Sequence, residues 1–183
     1  MPASIIGTPW EHSDWYDLHD MAWTAGSERE PEHYRELMLA LPPLDRPDHL
    51  IDVGAGTGKL AALIASSYPQ LGQVTLIEPN LQKLGRARQR LTKLLPDAKI
   101  QTLAAPLGEN RLLPKAEATF VTVDSVFIPI MELLGGSLAD GLAWLRRSLA
   151  EIVDMLRPGG WLYVLETLSA RRLKRSSSSP QHA

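Results

Sequence analysis

An apolar run, Leu50-Ile51-Asp52-Val53, that breaks into Gly54-Ala55-Gly56-Thr57-Gly58 and then into helical sequence constrains this chain more than any other stretch. Three alternating glycines remove the Cβ atoms that would hold a ligand away from the backbone, and they open φ angles closed to other residues. Main-chain N–H groups and the positive end of the following helix then face an electron-rich ligand. Glycine spacing alone is weak evidence, but a strand before it and an amphipathic segment after it supply the context that a nucleotide-type cofactor loop requires.

The rest of the chain repeats that alternation. Residues 48 to 53 are predicted as the first strand, and 58 to 68 as a helix with Leu60, Leu63 and Ile64 on one face and Pro69 as its stop. Gln73 to Glu78 is the second strand. Asn80 is placed to cap a helix whose buried stripe is Leu81, Leu84, Leu91 and Leu95, with Arg86, Arg88, Arg90 and Lys93 on the solvated face. Lys99 to Leu103 and Ala118 to Asp124 read as strands covered on two sides. A helix from about Ser137 to Met155 keeps Leu138, Leu142, Leu145, Leu149, Ile152 and Leu156 on an apolar face, and after a turn at Arg157-Pro158-Gly159-Gly160 the fifth strand runs from Trp161 to Glu166. Before all of these, Pro31 opens a helix carrying Tyr34, Leu37, Met38 and Leu41, which Pro42-Pro43 ends. Strands alternating with helices predict an α/β fold with a doubly wound, mostly parallel sheet. In such sheets the ligand lies beyond the carboxyl ends of the strands, where the glycine loop, Glu78 and Asp124 all fall.

Composition narrows the function. At 183 residues with 44% hydrophobic content the chain suffices for one domain with a real core. A net charge of −2 supplies no general attraction to nucleic acid or anionic membrane. The absence of cysteine removes disulfides, thiolate zinc sites and cysteine nucleophiles. No apolar run approaches the ~20 residues that span a bilayer, and the N-terminus lacks a secretory signal, so a cytoplasmic protein is expected. Val53 and Leu60 stand where a P-loop needs Gly and Ser/Thr, which argues against ATP hydrolysis.

Three segments together resemble the class I S-adenosylmethionine-dependent methyltransferases over roughly residues 30 to 168. Leu50 to Gly58 looks like the family's first motif, Thr75-Leu76-Ile77-Glu78 like its acid-tipped second strand, and Leu156 to Leu162 like its Pro-Gly-Gly turn before the fifth strand. The resemblance implies a Rossmann-like methyltransferase core, S-adenosylmethionine as cofactor and in-line methyl transfer to a small-molecule acceptor oxygen or nitrogen. Cofactor-binding residues implied at matching positions are Asp52, Gly54, Ala55, Gly56, Gly58, Glu78, Pro79, Ala105 and Asp124. Glu78 would accept both ribose hydroxyls, and Asp52 would bond either loop N–H groups or the cofactor's ammonium. Many relatives carry an acid for the adenine amine after the third strand; here Ala104-Ala105-Pro106 carries none. No metal is expected. A general base is needed only for a protonated acceptor, and the candidates by position are His12, His19, Asp124 and Glu166.

Three boundaries are expected: residues 1–45 as a lid and substrate segment with Trp10, Trp15, Tyr16 and Trp23, 46–168 as the cofactor-binding core, and 169–183 as a disordered basic and serine-rich tail. Only sixteen residues follow Thr167, too few for the antiparallel pair that completes the family's seven-stranded sheet, so the core is expected to be truncated after its fifth strand. That edge would then be covered by the N-terminal segment, a second copy or another partner. Two other functional readings stay open: a cofactor-binding module without catalysis, acting through a partner or dimer, and an NAD-dependent oxidoreductase, which Lys59 in place of the last glycine of Gly-x-Gly-x-x-Gly disfavours.

Overall fold

The computed structural model describes residues 30–45, 48–108, 113–127, 130 and 138–166. Five strands, β1 (His49–Val53), β2 (Gln73–Ile77), β3 (Lys99–Leu103), β4 (Ala118–Asp124) and β5 (Leu156–Leu165), form one sheet in the order β3-β2-β1-β4-β5. Every pairing is parallel. The helices are α1 (Glu30–Ala40), α2 (Lys59–Ser67), α3 (Leu81–Leu94) and α4 (Leu138–Met155). This is the expected α/β sheet, and the strand order reverses direction between β1 and β4, beside the glycine loop.

Period-2 alternation along the central strands builds two cores. Leu50, Val74, Leu76 and Phe120 face Leu60 and Ile64 of α2 and Leu84, Ala87 and Leu91 of α3. Ile51, Val53, Ile77, Val121 and Val123 face the other way, onto Trp144, Ile152 and Met155 of α4. Both faces of β1 are therefore buried along its whole length, which is why its sequence shows no polar alternation.

Several expectations need correction. Among the described residues β3 is an edge strand paired with β2 alone, with Lys99, Gln101 and Thr102 exposed, not a strand covered on both sides; its apolar residues did not reveal that position. The apolar face of α4 is rotated from the expected stripe: Trp144, Ser148, Ile152 and Met155 are buried, whereas Leu142 is 42% exposed. Leu81 at the start of α3 is also exposed, while Leu84, Leu91 and Leu95 are buried as expected. The fifth strand begins at Leu156, opposite Ala118, and then slips: the next partners are Phe120 and Trp161. Arg157 to Gly160 thus form an irregularity inside the ladder, with Gly159 at φ +78°, instead of a turn ahead of it. Among the described residues no helix is long and apolar enough to cross a membrane.

Candidate cofactor site at the carboxyl edge of the sheet

The glycine loop leaves β1 by turning toward β2. The N–H groups of Gly54 and Ala55 both donate to the Ile77 carbonyl at 2.8 and 3.0 Å, and the Gly58 N–H closes the loop onto Ala55 O at 2.7 Å. Gly54, Gly56 and Gly58 all have positive φ, at +70°, +51° and +76°, the region glycine enters without steric cost. Packing adds a second reason for two of them. A Cβ on Gly54 would overlap Val126, and one on Gly58 would lie 2.8 and 2.9 Å from Ala87 Cβ and Cα. Close approach of a ligand is therefore not what demands glycine at 54 and 58; the protein's own packing does.

Glu78 stands at the tip of β2 with its carboxylate turned into the loop. Oε2 accepts from the Gly56 N–H at 3.0 Å, and Oε1 accepts from the Asn80 N–H at 2.9 Å. Asn80 caps α3 as expected, accepting from the N–H groups of Gln82 and Lys83. Glu78 therefore ties the loop to the start of α3, and each of its oxygens retains one further acceptor position. Burial pushes its carboxyl up from the ordinary glutamate value, opposed by the Asn80 N–H, the Lys83 charge and the Gly56 N–H.

Asp52 is 2% exposed, near the end of β1. Its Oδ1 accepts from the hydroxyl of Thr122, its direct cross-strand neighbour, at 2.6 Å, whereas Oδ2 has no hydrogen-bond partner. Burial, reinforced by the charges of Asp124 and Glu78 and opposed by the Thr122 hydroxyl and Ala61 N–H, pushes this carboxyl up to about 7. Asp124, at the tip of β4, accepts from the Tyr34 hydroxyl of α1 at 3.1 Å and from Ser125 Oγ at 2.9 Å. Between them a pocket of about 30 Å³ is lined by Tyr34, Asp52, Gly54, Thr57, Lys59 and Asp124.

The structure thus brings Asp52, Gly54, Ala55, Gly56, Gly58, Glu78 and Asp124 to one edge of the sheet. Pro79 is exposed beside Glu78. Ala105 is 1% exposed and packs within the core that includes Val53 and Ile77. Of the candidate bases, His12 and His19 lie outside the described residues. Glu166 accepts from the Val126 and Phe127 N–H groups at 2.9 and 2.6 Å, so it organises the loop after β4. Tyr34, Thr122 and Arg90, whose Nη1 donates to the Thr57 carbonyl of the glycine loop at 2.8 Å, adjoin this edge and were not marked by the sequence. Thr122 becomes visible only through its register with Asp52, and Tyr34 carried only the signal of an apolar helix face. Among the described residues no three His, Asp or Glu side chains cluster as a metal site.

Comparison with known proteins matches residues 50–160 to the family described as "Methyltransferase domain". An O-methyltransferase, cnsE, from Penicillium expansum is 31% identical over 135 residues, covering 74% of this chain and 43% of that protein. The cobalt-precorrin-6B C(15)-methyltransferase (decarboxylating) of Salmonella typhimurium is 48% identical over 62 residues, 32% of each chain. The chain therefore spans less than half the length of these two curated relatives, 43% and 32%. Among solved structures, an S-adenosyl-L-methionine-dependent methyltransferase from Methanococcus maripaludis superposes with a TM-score of 0.57 at 13% identity, covering 84% of this chain and 63% of that one. At that identity the likeness is one of fold.

Proposed function

This chain belongs to the class I S-adenosylmethionine-dependent methyltransferases, and on that premise we propose that it binds S-adenosylmethionine at the β1–β2–β4 edge and transfers its methyl group to a small-molecule oxygen or nitrogen. The observation that carries the reading is the 3.0 Å bond from Gly56 N–H to Glu78 Oε2, which makes the glycine loop and the acid-tipped second strand one unit. The residues fit the cofactor's polar groups. The remaining acceptor positions of Glu78 suit ribose hydroxyls, and the unpaired, buried Oδ2 of Asp52 suits a cationic ammonium, to which it must present its ionised form.

When bound, S-adenosylmethionine supplies a methyl carbon already activated by a sulfonium leaving group. What remains for the chain is to bind, orient and exclude water, and orientation alone contributes on the order of 7 to 11 kcal/mol in well-positioned reactions. The Tyr34 hydroxyl on Asp124 ties α1 to the wall of the pocket. An oxygen acceptor agrees with the name of the relative that matches the larger part of this chain. Calorimetry with S-adenosylhomocysteine, followed by transfer of a tritiated methyl group to a metabolite pool, tests the proposal. No binding sinks it.

A second reading, a cofactor-binding module without turnover, draws on one observation: Asp124 and Glu166 are both engaged in hydrogen bonds within the chain. Tight S-adenosylhomocysteine binding with no methylated product from any acceptor would select it.

A further inference from the structure

Arg90 lies two turns into α3 on the helix face that meets the glycine loop. Its Nη1 donates to the Thr57 carbonyl at 2.8 Å and approaches Thr57 Oγ1 at 3.5 Å. Thr57 is 1% exposed, and its carbonyl lies ahead of the first intrahelical acceptor of α2, since the Ala62 N–H bonds Gly58 O. A buried carbonyl in that position must be met from outside the helix. Ala87 and Leu91, one turn apart on α3 and beside Arg90, abut Gly58.

Three restraints therefore converge on five residues. The Glu78 carboxylate takes the Gly56 N–H, the Ala55 carbonyl takes the Gly58 N–H, and the Arg90 guanidinium holds the oxygen side of the same Thr57–Gly58 peptide. Gly56 and Gly58 both sit at positive φ, where glycine has many alternatives of similar energy; a loop of this composition keeps one shape only if something outside it selects that shape. We infer that Arg90 is a positioning residue for the proposed cofactor site, clamping the Thr57–Gly58 peptide from α3 so that the loop is already shaped for an adenosyl ligand before one binds. The inference rests on the cofactor reading above. Lysine does not substitute fully, because a guanidinium offers a planar fork with several donors and an ammonium a single point charge.

Full-length R90A, R90K and R90Q are compared with wild type by calorimetry, with S-adenosylhomocysteine as the probe, and by thermal melting of the ligand-free chains. R88A, which removes the same charge from an exposed position on α3, serves as the control. R90A is expected to weaken binding about three- to tenfold, allowing for the partial exposure of Arg90. R90K should fall between R90A and wild type, added guanidinium should restore part of the R90A loss, and R88A should bind as wild type does. Binding by R90A within twofold of wild type, with only the melting midpoint lowered, overturns the inference and leaves Arg90 a packing staple. Equal weakening in R88A overturns it too, as a charge effect. If R90A does not fold, R90K and R90Q carry the same comparison. Absence of S-adenosylhomocysteine binding by wild type itself defeats the cofactor reading and this inference with it.

Discussion

Asp48 and Asp52 sit at opposite ends of the same central strand, and each accepts a hydrogen bond from a β4 threonine, Thr119 or Thr122. Their carboxylates nevertheless differ in state. Asp48 also accepts from the Asp45 N–H and from Arg157 at 2.9 Å. Burial pushes Asp48 up, but these hydrogen bonds and the Arg157 charge outweigh it and hold the carboxyl below its ordinary value. Asp52 has the threonine and the Ala61 N–H against burial but no cation, and its carboxyl rises to about 7. The amino edge of the sheet is thus a satisfied polar network, extended by His49 Nε2 to Thr75 Oγ1 at 2.8 Å. At the carboxyl edge acceptor capacity is left over. A buried acceptor without a partner lowers stability, and the proposed cofactor's ammonium would supply one.

Substitutions at the two edges should separate stability from binding. The largest effect is expected at Gly58→Val, where a side chain at φ +76° meets Ala87: overpacking and backbone strain together cost about 2 to 5 kcal/mol. Urea unfolding measures this, and S-adenosylhomocysteine binding should be lost; a variant as stable as wild type would show that α3 does not brace the loop. Glu78→Ala comes next, weakening S-adenosylhomocysteine by about 1.5 to 3 kcal/mol, the range for hydrogen bonds to a charged group. Unchanged affinity by calorimetry would remove Glu78 from the ribose role.

At the other edge, Arg157→Ala should lower stability by about 0.5 to 1.5 kcal/mol, a value reduced because the arginine side chain is 45% exposed. Affinity for S-adenosylhomocysteine should not move, and a parallel loss of affinity would dissolve the distinction between the edges. Asp52→Asn is read as a pH profile of the ligand-free chain, where the effect depends on pH and vanishes in acid. A folded pKa near 7 against 3.8 means that the native state binds the extra proton between those values, so this residue's contribution to stability falls as pH rises from about 4 to 7. The variant should therefore match wild type near pH 4 and gain on it by pH 8, by as much as a few kcal/mol at about 1.4 kcal/mol per pH unit between the two pKa values. Asp48 has the opposite sign, its stabilisation being lost as pH falls through its depressed pKa. His49, whose pKa burial lowers from 6.5 in spite of Glu117, likewise loses stability below that value.

The strands were legible because β-branched and apolar runs broken by Gly and Pro have few other uses, and the glycine loop was legible because its spacing sits between a strand and a helix. Arg90 was misread as a solvated residue: helical period places it away from the leucine stripe, and nothing local reveals that the loop after β1 packs on that side. The stripe of α4 was misplaced by a similar route, since Trp144 and Ser148 are buried where leucines looked better suited. Glu166 looked like a candidate base by its strand-end position, but whether a carboxylate meets a substrate or two backbone N–H groups depends on where the loop after β4 runs.

From its residues alone, this chain declares a parallel α/β sheet, a glycine loop closing the first strand and an acid closing the second, because each of these is written in contiguous sequence. Tertiary structure decided which carboxylates are satisfied. Asp48 and Asp52 are separated by three residues and look alike in sequence, yet Arg157, more than a hundred residues away, reaches only the first, and a turn folds the Asp45 N–H onto that carboxylate as well. Charge state is set by distance in space, through desolvation and pairing, and no reading of neighbours along the chain supplies that distance.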